Sequence, residues 1–481
     1  MKAASPPRRA DDRARRFHPD DTDAAVPRVC VVVLNYNGAG HVEPCLASLL
    51  ATEYPALEVV VVDNASRDGS PATIQRQFPD VAFVAAGANL GFARGNNLAL
   101  QRASAPLLAV LNPDTTVEPG WLWPLVERLA ADPLAGGVGP RILYRHDRVA
   151  LTLTAPAFRP GGADGRLLGV RLYAASSHAG AASLPVYFNR GVFGREPDHA
   201  GRPFCWTGPV AELAAPHPGG ALEVRLQLSA GDGRANVPVH VTVDGGAPGE
   251  VRVGPVCQTL ALTLAPTGVA ARPVIENAGI RPLTDGSMRD RGTRLSHGHV
   301  WHAWDGPDYA EPREVFAVKG GAALYRRELL ASIAYFDPGI FMYYEDADLC
   351  WRARRRGWRF WYEPASVVRH AHAALSREWS PGFIRNVEFG KLRMLGKNAP
   401  WPWVRRALAA NLKFGGAAGL GASRSAVRGR PDAAASGEVR ARAQALLQTL
   451  LAMPTTMRLR RLERQLAPLD GRELLPFFEA E

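Results

Sequence analysis

The amino-acid sequence predicts a doubly wound α/β sheet with an inserted all-β sandwich and a C-terminal helical tail. Three observations carry that expectation. Short apolar, β-branched runs alternate with helix-period stretches over residues 29–139, the pattern of a parallel sheet covered on both faces. Between 149 and 272 the helix signals fade and several runs alternate apolar with polar residues. Beyond 376 the apolar spacing becomes helical again and the charge turns basic. The expected organisation is a polar arm over 1–27, an α/β domain split into 28–148 and 273–375, a sandwich inserted at 149–272, and a basic helical region over 376–481.

Composition bounds the alternatives. The 481 residues suffice for two to four domains at ~100–200 residues each. With 47% hydrophobic and 21% charged residues the chain is globular, and 47 Gly with 39 Pro require many turns. No stretch reaches the ~18–20 apolar residues of a membrane span, and the first 28 residues lack the apolar core of a signal peptide. An integral membrane or exported protein is therefore not expected, and a cytoplasmic one is. Five scattered cysteines without a CxxC pair argue against a disulfide scaffold or a zinc ribbon and fit a reducing compartment. The net charge of +11 is concentrated at one end, where residues 375–481 hold 18 Lys/Arg against 9 Asp/Glu. Such a tail suits an anionic membrane face, an anionic substrate or a solvated surface. Nucleic acid is not an expected partner, because no zinc-finger or RNA-binding signature accompanies the charge.

Each element has a local reason. Val29–Leu34 is a continuous apolar run, as in a buried parallel strand, and 41–50 sets Val42, Leu46, Leu49 and Leu50 on one helical face. Leu57–Val62 is a second buried strand, and 81–85, 107–111 and 136–139 read as further strands, with helices at 71–78, 92–103 and 119–131 between them. In the insertion, 222–228, 237–243 and 260–264 alternate apolar and polar residues, and Asp244-Gly245-Gly246 is a hairpin turn signal. Helix signals resume at 320–332 and 345–356. In the tail, Val439, Ala443, Leu446, Leu447, Leu450 and Leu451 fall at helical spacing and Pro454 is expected to stop the run.

Polar clusters at the strand ends carry the chemistry. The first strand ends in Asn35-Tyr36-Asn37-Gly38 and the second in Asp63-Asn64-Ala65-Ser66, and ligands of open parallel sheets bind at the carboxyl ends of strands. An Asp there accepts hydrogen bonds from a base N–H or a ribose hydroxyl; as polar loops the two segments would simply cap the following helices. Asn89 to Asn97, with Gly91 and Arg94, opens a helix with small residues and a cation, which suits a phosphate or ribose neighbour. The fourth strand runs into Asn112-Pro113-Asp114, where a carboxylate opposite a pyrophosphate would hold Mg2+ or Mn2+, or else cap the next helix. Glu345, Asp346 and Asp348 crowd a helix start, whose dipole is expected to keep them ionised, with one of them a candidate general base. Arg352, Arg354, Arg355 and Arg356 follow at pairing distance. His370, just past the strand expected at 358–362, is a candidate metal ligand.

In this order the segments resemble the inverting family 2 glycosyltransferases of GT-A fold, nearest their bacterial rhamnosyltransferase-like branch. The matching residues are Val31 to Asn37, Val61 to Ser70, Asn89 to Asn97, Asn112-Pro113-Asp114, Gly320 to Ala323 with Arg326 and Arg327, and Tyr343 to Arg352. The resemblance spans about 28–146 and 274–400. It implies that Asp63 contacts the nucleotide base and that Asn35, Asn37 and Asn89 line the nucleotide pocket, with Gly91, Arg94, Asn97 and Asn112 completing the donor side. It implies a divalent cation, Mg2+ or Mn2+, on Asp114 and His370, and Asp346 as the base that activates an acceptor hydroxyl. Asn112 departs from the family's frequent Asp-x-Asp, and an amide is a weaker ligand than a carboxylate. The donor implied is a nucleoside-diphosphate sugar, with dTDP-rhamnose the branch's suggestion. The acceptor would be a surface-glycan or lipid-linked saccharide at the inner face of the cytoplasmic membrane, with peripheral contact to anionic lipid.

Two rival readings remain at the level of sequence. A sugar nucleotidyltransferase would need a cationic Gly-rich loop after the first strand, and Asn35 to Gly38 has no cation. A non-catalytic glycan-binding protein would work through the sandwich, with Trp206 or Tyr187 stacking on sugars.

Overall fold

The computed structural model describes residues 26–481 apart from 163, 181, 220, 232, 245–248, 265–269, 297–298, 372–379, 413–432, 468–471 and 480–481. The expected N-terminal arm and most of the Asp244-Gly245-Gly246 turn lie outside the described residues. The chain divides into two compact units. One comprises the described residues up to Ile142 with Asn277–Arg291 and Tyr309–Glu481; the other comprises Leu143–Glu276 and Gly292–Asp308.

The first unit is the mixed α/β sheet expected of the GT-A fold. Its main strands are β1 (Val29–Asn35), β2 (Leu57–Asp63), β3 (Ala82–Ala85), β4 (Leu107–Leu111), β5 (Thr115–Val117), β6 (Ala135–Tyr144), β7 (Ala322–Arg326) and β8 (Arg359–His370). They run in the order β8-β6-β7-β4-β1-β2-β3, with β5 paired to β8. The pairs β1–β2, β1–β4 and β2–β3 are parallel, whereas β7 is antiparallel to both β4 and β6. Between them run α1 (Val42–Leu50), α2 (Ser70–Gln77), α3 (Gly91–Leu100) and α4 (Leu122–Ala131). Every residue of β1 is buried because helices cover both faces.

Three expectations are corrected here. Leu50 is exposed and Cys45 takes its place on the inner face of α1. The stretch expected to be helical at 320–332 is divided: Ala322–Arg326 is strand β7, and only Arg327–Ser332 forms a helix, α5. A short run buried on all sides reads alike as strand or helix until its neighbours are known. The third concerns Pro454. After α6 (Glu345–Arg354) and α7 (Pro381–Asn398), and a helical stretch over 401–412, α8 (Ala433–Leu466) runs straight through it. Pro454 lies on the exposed side, so the Leu450 carbonyl that loses its partner faces water. The hydroxyls of Thr455 and Thr456 donate to Ala452 O at 2.8 and 2.9 Å beside the break. Ser380 caps α7 by accepting from Phe383 N at 3.2 Å, with Pro381 in the first turn.

The second unit is antiparallel throughout its main sheet. Nine strands form one hydrogen-bonded sheet, and the fourteen-residue strand Pro203–Pro216 joins its two halves. Cys205 and Trp206 pair with Leu172 and Arg171, whereas Val210–Pro216 pairs with Thr154–Arg148, so the partner changes around Gly208-Pro209. The sandwich thus comes from one sheet folded over a main core that includes Leu151, Leu153, Leu213, Val224, Leu226 and Val239. Trp206 is buried against Phe158 and Phe204 at 5.4 and 5.5 Å, which corrects the sugar-stacking expectation for that ring. Tyr187 is half-buried, with the Arg148 guanidinium 3.8 Å over its ring.

Candidate active site

The parallel register brings polar residues together at one edge of the first unit. Asn35 ends β1 directly beside Asp63 at the end of β2. The Asn35 amide donates to Asp63 Oδ1 at 2.9 Å, Ser66 Oγ at 3.1 Å and Ser70 Oγ at 2.9 Å. Asp63 Oδ2 accepts from Ser66 N at 3.1 Å. Asn35 is fully buried, so it acts as the fixture that aims Asp63. Asn37, at φ 52°, accepts from Arg67 N at 2.8 Å and donates its own N–H to Ser66 Oγ at 2.9 Å, lacing the β1 loop to the β2 loop. Asn97 is buried elsewhere: its side chain bonds both Phe336 O and Phe336 N, at 2.9 and 3.2 Å, and so ties α3 to the 336 loop.

The start of α3 is built by close approach. Asn64 accepts from Leu90 N at 2.8 Å and donates to Asn89 Oδ1 at 3.0 Å, and Asn89 accepts from Gly91 N at 3.0 Å. Gly91 has φ +77°, and a Cβ there would lie 2.3 Å from Phe341 O, so only glycine fits. The reason is the next bond, in which Phe92 N donates to Phe341 O at 2.7 Å. Arg94 is exposed on this helix.

Asp114 and His370 meet across β5 and β8. His370 pairs with Thr115, which brings its Nε2 within 3.0 Å of Asp114 Oδ1, and Ala371 N donates to Asp114 O at 2.9 Å. Both side chains are nearly buried, with 4% of Asp114 and 7% of His370 exposed. A carboxylate oxygen touching an imidazole nitrogen is a donor pair that fits a divalent cation, whose remaining positions substrate oxygens and water would fill. Among the described residues no group of three His, Cys, Asp or Glu side chains converges on one point.

The acidic motif separates into three roles. Asp346 Oδ2 accepts from Gly320 N at 3.0 Å and Oδ1 from Ala347 N at 2.7 Å. Burial raises its pKa, Asp290 adds to the rise, and the two N–H groups and Lys319 oppose it. Glu345 is buried with its Oε2 unpartnered, and burial followed by Asp346 and Asp348 pushes its pKa well above the ordinary value. Against the helix dipole expected to favour ionisation, burial works the other way at Glu345 and Asp346. Asp348 is an anchor: it accepts from Arg352 Nε at 2.9 Å, Lys397 Nζ at 2.7 Å and Asn398 Nδ2 at 3.0 Å.

Tyr343 and Tyr344 precede the motif with φ 70° and 69°. Two adjacent aromatic residues in the left-handed region cost ~1–3 kcal/mol each and persist where surroundings over-determine them. Gly390 of α7 is one reason, because a Cβ there would lie 2.3 Å from Tyr343 O.

Backbone contacts link these parts. Asn112 N donates to Gly321 O at 2.9 Å, and the adjoining Gly320 N bonds Asp346, so the Asn112–Asp114 turn and the Asp346 helix share one glycine pair. Lys319, which bonds Asp290 at 3.1 Å beside that pair, and the anchor Lys397 escaped sequence reasoning, and Asn64 was noted only as part of a polar strand end. A cation immediately before Gly320-Gly321 was the available signal for Lys319.

Residues 30–173 match the family described as Glycosyl transferase family 2. An N-acetylglucosaminyl-diphospho-decaprenol L-rhamnosyltransferase of Mycobacterium tuberculosis is 36% identical over 124 residues, 23% of this chain and 40% of that protein. The succinoglycan biosynthesis protein ExoO of Rhizobium meliloti is 37% identical over 107 residues, 22% of this chain and 31% of that protein. The chain thus spans less than half the length of these relatives. Among solved structures, a mannosyltransferase of Pyrobaculum calidifontis in complex with GDP-Man and Mn2+ aligns with TM-score 0.37 and 15% identity, covering 89% of this chain and 87% of that one.

Proposed function

We propose, from the premise that this chain carries a family 2 glycosyltransferase domain, that it transfers a sugar from a nucleoside-diphosphate donor to an acceptor hydroxyl with inversion at the anomeric carbon. The observation that carries the reading is the shared glycine pair: Gly321 holds the turn before Asp114 and Gly320 holds Asp346. On this reading a leaving-group site and a base would stand side by side, each tied to one backbone segment.

Asp63, aimed by Asn35 and Ser66, would receive the donor base or ribose. Asn37, Asn89, Gly91, Arg94 and Asn112 would frame the donor around it, while Asn97 would serve through the loop it holds. Asp346 would take the acceptor's proton as its oxygen forms the bond to the anomeric carbon and the bond to the diphosphate breaks. A raised pKa suits a base working near neutrality. Asp114 and His370 would hold a divalent cation, which supplies charge neutralisation to the departing diphosphate. An imidazole in the set favours Mn2+ over the oxygen-seeking Mg2+.

Rhamnose as the sugar, and a lipid-linked saccharide as the acceptor, are supported by the name of the mycobacterial relative. Such an acceptor would bring the enzyme to the inner face of the cytoplasmic membrane. No described helix is long and apolar enough to cross one.

The test is nucleotide release from a panel of nucleoside-diphosphate sugars with Mn2+, Mg2+ or EDTA, beside Asp114→Ala. Metal-dependent release from one donor, lost in the variant, is the expected result. Release of pyrophosphate from a nucleoside triphosphate and a sugar phosphate would overturn the reading in favour of a nucleotidyltransferase. Glycan binding with no nucleotide binding by calorimetry would overturn it in favour of a lectin-like role.

A further inference from the structure

Helix α8 buries its small residues and exposes its large apolar ones. Ala441, Ala445, Thr449, Thr456 and Arg460 recur along its inner side. That side is bonded to α7: Arg393 reaches Thr456 Oγ1 at 3.2 Å, and Arg460 donates to Gly396 O and Ala399 O at 2.9 and 2.8 Å. On the opposite side Leu447, Leu450 and Leu451 are 57%, 64% and 74% exposed, with Pro454 one turn further on. Exposed Arg440 precedes this patch on the same face, and exposed Arg458 and Arg461 follow it. The helix has only two acidic residues, and both are drawn to the packed side: Glu438 pairs with Arg442 at 3.2 Å and Glu463 with Arg356 at 3.0 Å. The outward face is therefore apolar in the middle, cationic at both ends and free of carboxylates.

We propose that this face docks on an anionic membrane surface, with Leu447, Leu450, Leu451 and Pro454 entering the boundary between head groups and acyl chains while Arg440, Arg458 and Arg461 meet lipid phosphates. Charge decides between this occupant and a second copy of the chain. Antiparallel pairing about Leu450 and Leu451 would set Arg440 against Arg461, and parallel pairing would set each arginine against itself; either arrangement opposes like charges at both ends of the patch. Lipid phosphates satisfy the same arginines. The inference rests on the helix and not on the transferase reading.

The test floats the full chain with vesicles of phosphatidylcholine alone or mixed with phosphatidylglycerol, at low and high salt, with no donor or acceptor present. The wild type is expected to bind the anionic vesicles and to release them as salt rises. The Leu447→Gln, Leu450→Gln, Leu451→Gln triple variant should bind at least ~100-fold more weakly, from the apolar area withdrawn. Arg458→Gln with Arg461→Gln should weaken binding by roughly 25-fold and flatten the salt dependence. Unchanged melting and donor hydrolysis in the triple variant would separate lost docking from misfolding or a failed active site, and the arginine pair tests the proposal if the triple variant does not fold. Absence of binding, equal binding to neutral vesicles, or undiminished binding by the leucine variant overturns the proposal. A wild-type dimer in sedimentation velocity that the leucine variant dissolves, with no vesicle binding, overturns it in favour of a second copy.

Discussion

Two neighbouring carboxyl groups on α6, Asp346 and Glu345, meet the same low dielectric with different consequences. Asp346 has two N–H donors and Lys319 to stabilise its charge, whereas one Glu345 oxygen has no partner. Asp346→Asn should lower transfer by ~100- to 10,000-fold while nucleotide affinity, read by calorimetry, is kept. Because its pKa is raised, the acid limb of kcat/KM should lie above the usual carboxylate range. Asp290→Asn removes a negative charge that favours protonation, so it should move that limb to lower pH; Lys319→Gln should move it higher. At Glu345 the same direction of shift bears on stability. Its folded pKa lies above the unfolded one, so the stability it confers is full below the ordinary carboxylate range and is lost as pH rises through the folded value. Glu345→Gln should therefore raise the melting temperature more at about pH 8 than at about pH 4.5. The motif was legible in the chain as three acids at a helix start, with Asp346 singled out by resemblance, but which of them lies buried with an unpartnered oxygen was not. Burial depends on what packs over the helix, and that comes from α7.

Elements hold the site by buried charge as much as by apolar contact. Lys397 of α7 is 2% exposed and bridges Asp337 and Asp348, fastening α7 to the Asp346 helix. Burial works to raise the Asp337 pKa, yet Lys397 and Arg393 hold it well below the carboxylate range. Lys397→Met leaves two carboxylates buried without that cation and should cost ~3–5 kcal/mol in urea unfolding, with kcat falling more than donor affinity. The basic count of the C-terminal region thus divides: Arg393, Lys397 and Arg460 are internal, and only part of the charge faces solvent. Strands β1, β2 and β4 were readable as apolar runs because both faces are covered. Strand β7 was misread as helix, and Pro454 as a stop, because each depends on a neighbour that local pattern does not contain.

At the scale of the molecule, the α/β unit is assembled from separated segments, with Asn277–Arg291 contributing Asp290 and Tyr309–Glu481 contributing Lys319, Asp346 and His370. The Asp114–His370 contact joins residues 256 positions apart. EDTA should abolish donor hydrolysis and Mn2+ restore it, and His370→Ala should weaken Mn2+ binding by ~10- to 100-fold in calorimetry, a readout independent of turnover. What the sequence by itself determined is the class of fold, the parallel strands of its first half and the polar residues at their ends. Periodicity and turn chemistry are local, and a parallel sheet delivers its strand ends to one edge whatever the connections. Tertiary structure alone decided which side chain faces the site and which supports it: Asn35 behind Asp63, Asn97 beneath a loop, Asp348 on Lys397, and the leucines of α8 turned outward. Those outcomes depend on desolvation and on partners far away in the chain, and both exist only once the elements have packed.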